Sequence, residues 1–204
     1  MARVKQVVPH DLVYDEGYYL RVVDPPAAKA ASVMAPALVR DLSPRNLIDV
    51  GCGTGALLAA LREHGCSVSG LEYSEAGLNM CRSRGLDVRK FDLEHDELET
   101  CADCDVAISM EVAEHLPEIR ADRFVTLLTS LAPVVVFTAA HPGQGGTNHV
   151  NEQPASYWIA KFDARGFHLD SALSDRWRND WQATGVTSCY WKNIMVFRRA
   201  SCPG

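Results

Sequence analysis

Three glycines at alternate positions, Gly51, Gly53 and Gly55, follow the short apolar run Leu47, Ile48, Val50, and no other stretch restricts the fold so tightly. The run suits a strand buried on both faces, with one acid, Asp49, inside it. Glycine admits positive φ and lets a ligand approach the backbone where a Cβ would stand. Thr54 has the chemistry of an N-cap, and the following GALLAALREHG carries Leu57, Leu58 and Leu61 at helical spacing. Strand, glycine loop and helix in that order open a nucleotide-binding α/β unit.

Dinucleotide loops keep Gly-x-Gly-x-x-Gly, which rests a pyrophosphate on the helix N-terminus. Here the third glycine comes one residue early, and Ala56 stands where the dinucleotide pattern has glycine or alanine, so the loop by itself leaves NAD open. The segment DVGCGTG more closely resembles motif I of the class I S-adenosylmethionine-dependent methyltransferases. The resemblance implies that Asp49, Gly51, Gly53 and Gly55 bind the aminocarboxypropyl end of that cofactor.

Two further acids fall where an adenosine needs them. CSVSGLEY reads as a second strand ending at Glu72 and Tyr73, about twenty residues past the glycine loop. A carboxylate there can accept hydrogen bonds from both ribose hydroxyls. Ser74 caps the next helix, which runs to Ser83 and closes at Gly85. LDVRKFDL, residues 86 to 93, reads as a third strand. FDLEHD resembles the segment that meets adenine in class I methyltransferases, which implies Asp92 as acceptor for the amino group and the Leu93 amide at a ring nitrogen. An NAD enzyme has no particular need of Asp92, so this element favours the methyltransferase reading.

DVAISM, residues 105 to 110, is the fourth strand, and EVAEHLP after it resembles the E-x-x-E-H segment of small-molecule methyltransferases. Ligands of open α/β sheets bind beyond the carboxyl ends of the strands. Met110 to His115 should therefore face the methyl group and its acceptor, with His115 a candidate general base. Glu118 to Leu131 is helical, and VVVFTAA, residues 134 to 140, is a central strand. HPGQGGTNHVNEQP, residues 141 to 154, is a long polar loop leaving the same sheet edge, and such loops are usually functional. His141, Asn148 and Glu152 are candidate substrate contacts there, and His149 is the alternative base to His115. Asn148 and Glu152 could equally cap turns. No metal ligand set is assigned, because His plus Glu could bind Mg²⁺ only if the fold made them converge.

Toward the N-terminus, Tyr14 and Tyr18 are spaced i, i+4 on one helical face and could line the acceptor side of a lid; the plainer account is a helical layer on the sheet. Pro25 and Pro26 read as a break before an amphipathic helix over residues 27–42. Toward the C-terminus, Pro154 to Arg165 reads as a helix with Trp158 and Phe162 in the core. Residues 167–173 read as a strand, 174–184 as a short helix and 189–199 as the last strand.

With 204 residues, the expectation is an α/β protein: a doubly wound, seven-stranded, mostly parallel sheet over residues 45–204 with an N-terminal helical cap over 1–44. A net charge of −6 carries no broad basic footprint for nucleic acid or anionic membrane. Seven cysteines at irregular spacings, without a signal peptide, suit free thiols in the cytoplasm. The C-x-x-C of Cys101 and Cys104 has no second pair at zinc spacing. A possible homodimer is left open. The function these readings support is transfer of a methyl group from S-adenosylmethionine to an oxygen, or next a nitrogen, of a small polar metabolite such as a natural-product or sugar intermediate. The alternatives are a catalytically silent cofactor-binding partner subunit and a short NAD-dependent reductase, the latter lacking a Tyr-x-x-x-Lys pair.

Overall fold

A computed structural model describes residues 15–97 and 104–200. Seven strands form one sheet: β1 (Asn46–Val50), β2 (Ser67–Glu72), β3 (Val88–Lys90), β4 (Val106–Met110), β5 (Val134–Thr138), β6 (Phe167–Leu169) and β7 (Met195–Arg199). Their spatial order is β3-β2-β1-β4-β5-β7-β6. β1 to β5 run parallel, and β7 enters antiparallel between β5 and β6. The chain reverses its direction of travel across the sheet between β1 and β4, so the crevice of an open α/β sheet lies at their carboxyl ends.

Burial on both faces explains the unbroken apolar strands. On one face Leu47, Ile108, Val136 and Val196 meet Ala30, Met34 and Leu38 of α1 (Asp24–Leu42) and Trp177 and Trp181 of α6 (Ser171–Ala183). On the other, Ile48, Val50, Val135, Phe137 and Phe197 meet Phe124 and Leu128 of α4 (Ala121–Leu131) and Trp158 and Phe162 of α5 (Ala155–Asp163). The Phe162 and Phe197 rings stack with centroids 3.9 Å apart. Leu58 of α2 (Ala56–Glu63) packs with Cys81 of α3 (Glu75–Ser83) near the sheet edge. Helix α1 is thus one of the layers that bury the sheet.

Several boundaries differ from the sequence reading. Pro25 and Pro26 do not break a helix: they occupy the first turn of α1, where the amides have no intrahelical partner to lose. A π-helical turn, Tyr19–Val23, joins α1 to a short turn at Glu16–Tyr18. Thr54 is not the cap of α2; Gly55, at φ 73°, precedes it, and a Cβ there would strike Leu86 and Cys81. Residues 118–120 form a 3₁₀ turn before α4. β3 is only three residues long, which leaves Asp92 just beyond its tip. Residues 189–193, expected as strand, belong to α7 (Ser188–Asn193), and the last strand begins at Met195. Tyr14 and Cys101 lie outside the described residues. Among the described residues no helix is long and apolar enough to cross a membrane.

Candidate active site

The tips of β1, β2 and β3 meet. Gly53, at φ 55°, donates its amide to Glu72 Oε2 at 2.7 Å, and Ser74 donates to Oε1 at 2.8 Å. The backbone leaving β3 joins them, because the Phe91 amide donates to the Glu72 carbonyl at 3.0 Å. A Cβ at Gly77 of α3 would lie 2.8 Å from the Gly53 carbonyl and 3.0 Å from Glu72 Cγ, so glycine lets this helix press against the loop. Gly51 plays the same part toward Val112, 2.5 Å from where its Cβ would stand. At Gly53, by contrast, a Cβ would meet only Tyr19, at 3.8 Å, so the backbone there borders open space.

Buried charge collects around this loop. Burial pushes the Asp49 carboxyl up to about 8, helped by the charge of Glu72. Its Oδ1 has no hydrogen-bond partner. Burial also raises Glu72, although the amides of Ser74 and Gly53 pull the other way. Asp92 is pulled upward by partial burial, but His95 Nδ1 at 3.0 Å and the Glu94 amide at 2.8 Å outweigh this and hold it below its ordinary value. Leu93 is partly buried against the core, and Tyr73 is 41% exposed at the rim. An orphaned buried carboxylate oxygen, an open glycine backbone and a ribose-height glutamate suit a cationic amino-acid end joined to an adenosine.

The other half of the crevice lies beyond β4 and β5. Met110 ends β4, and Glu111 follows at φ 55°, a left-handed conformation that costs free energy for a non-glycine residue. Its amide donates to Thr138 Oγ1 at 2.9 Å. Its carboxylate accepts from Gln144 Nε2 at 2.8 Å and Asn193 Nδ2 at 3.1 Å. The 3₁₀ turn Ala113–His115 then points Glu114 inward, fully buried, with neither carboxylate oxygen hydrogen-bonded. Burial, and after it the neighbouring Glu111 charge, raise the Glu114 carboxyl far above its ordinary value, although the nearby amides of Ala140 and of Glu114 itself pull the other way.

The polar loop is latched onto this turn. The amides of Val150 and Asn151 donate to the Glu114 carbonyl at 2.9 and 3.0 Å. The His115 and His149 rings, both candidates from the sequence, meet edge to face with centroids 5.0 Å apart. His149 is buried, its Nδ1 lying 3.0 Å from Glu152 Oε1. Glu152 also accepts from the Gly143 and Gly145 amides at 2.9 and 2.8 Å. Because a carboxylate only accepts, Nδ1 carries a proton in this contact. Asn148 adopts φ 55° to turn the loop. His141 is exposed, its Nδ1 lying 3.2 Å from the Pro142 carbonyl, and it does not join the histidine pair.

Helix α7 joins this network through its last residue, Asn193. Burial, with Glu111 second, pushes the Cys189 thiol up to about 12, and burial also raises Tyr190. Asn193 bridges Glu111 and Gln144, at 3.1 and 2.8 Å. Sequence reasoning missed Glu111, Glu114, Gln144 and Asn193. The E-x-x-E-H spacing pointed to the first two; Asn193 lay in what read as a strand. At the other end, Arg84 binds both Asp24 oxygens, at 2.7 and 2.9 Å, and the Thr54 carbonyl.

The family model described as "Methyltransferase domain" matches residues 26–185. A ubiquinone biosynthesis O-methyltransferase of Pseudomonas paraeruginosa is 29% identical over 134 residues, 60% of this chain and 52% of that protein. Its counterpart in Idiomarina loihiensis is 35% identical over 83 residues, 38% of this chain and 34% of that protein. The chain thus spans about half or less of the length of the curated relatives it matches. Among solved structures, the sugar N-methyltransferase KedS8 from Streptoalloteichus superposes with TM-score 0.67 at 20% identity, covering 98% of this chain and 99% of that one. Magnesium protoporphyrin IX methyltransferase from Synechocystis, with bound S-adenosylhomocysteine, gives TM-score 0.64 at 18% identity over 86% of this chain and 84% of that one.

Proposed function

The chain belongs to the methyltransferase-domain family, and from that membership we propose that it methylates an oxygen, in second place a nitrogen, of a small polar metabolite. The cofactor is S-adenosylmethionine, which supplies an electrophilic methyl group on a sulfonium. Asp49 and the Gly51–Gly55 loop hold its amino-acid end, Glu72 its ribose, and Asp92 with the Leu93 amide its adenine. The observation that carries this reading is the hydrogen-bonded junction of Gly53, Glu72 and the chain leaving β3; beyond β4 the half-buried His115 meets the buried His149.

The chain's own contribution is alignment and proton handling. Glu111 to His115 and the 141–152 loop bring polar side chains to the acceptor end of the crevice, where holding two reactants in register replaces a bimolecular encounter. His149, its Nδ1 proton anchored on Glu152, presents Nε2 to accept a proton from an acceptor hydroxyl. His115 stands beside it as the second candidate. Tyr18 and Asn148 contact the acceptor from the rim. Oxygen is favoured because the curated relatives bear O-methyltransferase names; the sugar N-methyltransferase likeness, over nearly the whole chain, keeps nitrogen second.

The experiment is calorimetry with S-adenosylmethionine, followed by methyl transfer from labelled cofactor to a panel of phenols, sugars and amines. Stoichiometric binding with turnover on a hydroxyl acceptor is expected. Binding without turnover on any acceptor would favour a silent partner subunit, and absence of binding would overturn the reading.

A further inference from the structure

Glu114 is the least explained side chain in the protein. It is fully buried, and neither oxygen has a hydrogen-bond partner. An unpaired carboxyl in such a place is costly, and two hydrogen-bonded segments hold it there: its carbonyl receives both the Val150 and the Asn151 amides. One carboxylate oxygen of Glu114 and one ring nitrogen each of His115 and His149 lie within 4.8 Å of one another.

We propose that Glu114, His115 and His149 form a binding site for a divalent first-row transition-metal ion. Metal bonds of about 2.0–2.2 Å to nitrogen and carboxylate oxygen draw ligand atoms together from such spacing by small side-chain shifts. The surroundings have the second layer that metal-binding histidines use. Glu152 accepts at Nδ1 of His149, fixing Nε2 as the coordinating atom, and is itself held by two loop amides. Gly146 makes room for that ring: a Cβ there would stand 2.2 Å from Nε2. Glu111 adds a second carboxylate close by, oriented by Gln144 and Asn193. Two imidazoles and one carboxylate select ions such as Mn²⁺, Fe²⁺, Co²⁺ or Zn²⁺ over Ca²⁺ and Mg²⁺, which prefer all-oxygen shells.

Three protein ligands leave coordination positions open. In the methyl-transfer reading above, on which this role alone rests, an acceptor oxygen takes an open position and loses its proton to solvent more readily. The histidines would then act through the ion instead of as free bases.

The test uses the chelator-stripped full chain without cofactor or acceptor, with Mn²⁺ as probe because thiols bind it poorly. Electron paramagnetic resonance should show one Mn²⁺ bound per chain, displaced by Zn²⁺. Glu114→Gln and His115→Ala should each weaken binding at least tenfold. Glu152→Gln, which leaves all three ligands in place, should weaken it about 10–100-fold and keeps the test informative if a ligand variant fails to fold. No Mn²⁺ bound by the wild type, or undiminished binding by the folded variants, would overturn the site. Failure here leaves the methyl-transfer reading intact, since that one is judged by S-adenosylmethionine binding and turnover.

Discussion

The Glu72 carboxylate accepts the Gly53 amide at 2.7 Å, so the acid at the tip of β2 shapes the glycine loop at the tip of β1 as well as facing the crevice. With the Ser74 amide on its other oxygen and the Tyr73 amide also turned toward the carboxylate, one of its four lone-pair sites remains to offer.

Glu72→Gln should therefore do two kinds of damage. One amide donor loses its acceptor and meets an N–H₂ group, and the ribose loses a charged partner. S-adenosylmethionine affinity should fall by about 1.5–3 kcal/mol, roughly ten- to a hundredfold. Calorimetry measures this directly, and an unchanged affinity would remove Glu72 from the cofactor site.

Gly146→Ala tests the placement of His149. The added Cβ would collide with the His149 ring, which must swing away from Glu152. Turnover should drop by about 10²–10⁴-fold, the span typical of losing a positioned acid or base, while cofactor binding stays near the wild-type value. A variant with normal turnover would show that the ring position does not matter.

Asp49 makes cofactor binding sensitive to pH. With its carboxyl pushed up to about 8, it is protonated in the cofactor-free protein at pH 6.5. A cationic ligand lowers that value, so binding at pH 6.5 should release up to one proton per chain. Affinity should rise with pH toward about 8 and level off above it. The binding heat at pH 6.5 should differ between phosphate and imidazole buffers, and should not do so in Asp49→Asn. Equal heats for the wild type would contradict the linkage.

Asp41 contributes to stability in a way that acid removes. Arg40, at 2.7 and 2.9 Å, and the Trp177 indole, at 2.7 Å, hold its carboxyl down at about 2. Because the folded value lies below the unfolded one, the stabilisation is complete above about pH 4 and disappears as pH falls toward 2. Solvent screening of the exposed Arg40 holds the gain to about 1 kcal/mol. Urea titrations followed by tryptophan fluorescence at pH 6, 4 and 2.5 should show this loss in the wild type and a smaller one in Asp41→Asn.

The junction of the glycine loop with Glu72 was legible because its chemistry is local. Gly51, Gly53 and Gly55 need positive φ in one short turn, and Glu72 and Asp92 stand at strand tips that apolar runs announce. The region beyond β4 and β5 was legible only in fragments. His115 and His149 could be nominated one at a time, but their 5.0 Å contact depends on the loop amides of Val150 and Asn151 reaching the Glu114 carbonyl, a tertiary bond. Asn193 was hidden because CYWKN is rich in residues that favour strands, whereas its helical form lets the amide reach Glu111 across 82 positions of sequence. Pro25 and Pro26 misled for the opposite reason: a residue that breaks a helix inside is welcome in its opening turn.

The Arg84 guanidinium grips the Asp24 carboxylate and the Thr54 carbonyl together. Movement of α1 away from the sheet would have to sever that clasp or drag the glycine loop along. The helix that covers the sheet and the glycine loop at the tip of β1 therefore shift as one body, and a strain felt by either is passed to the other.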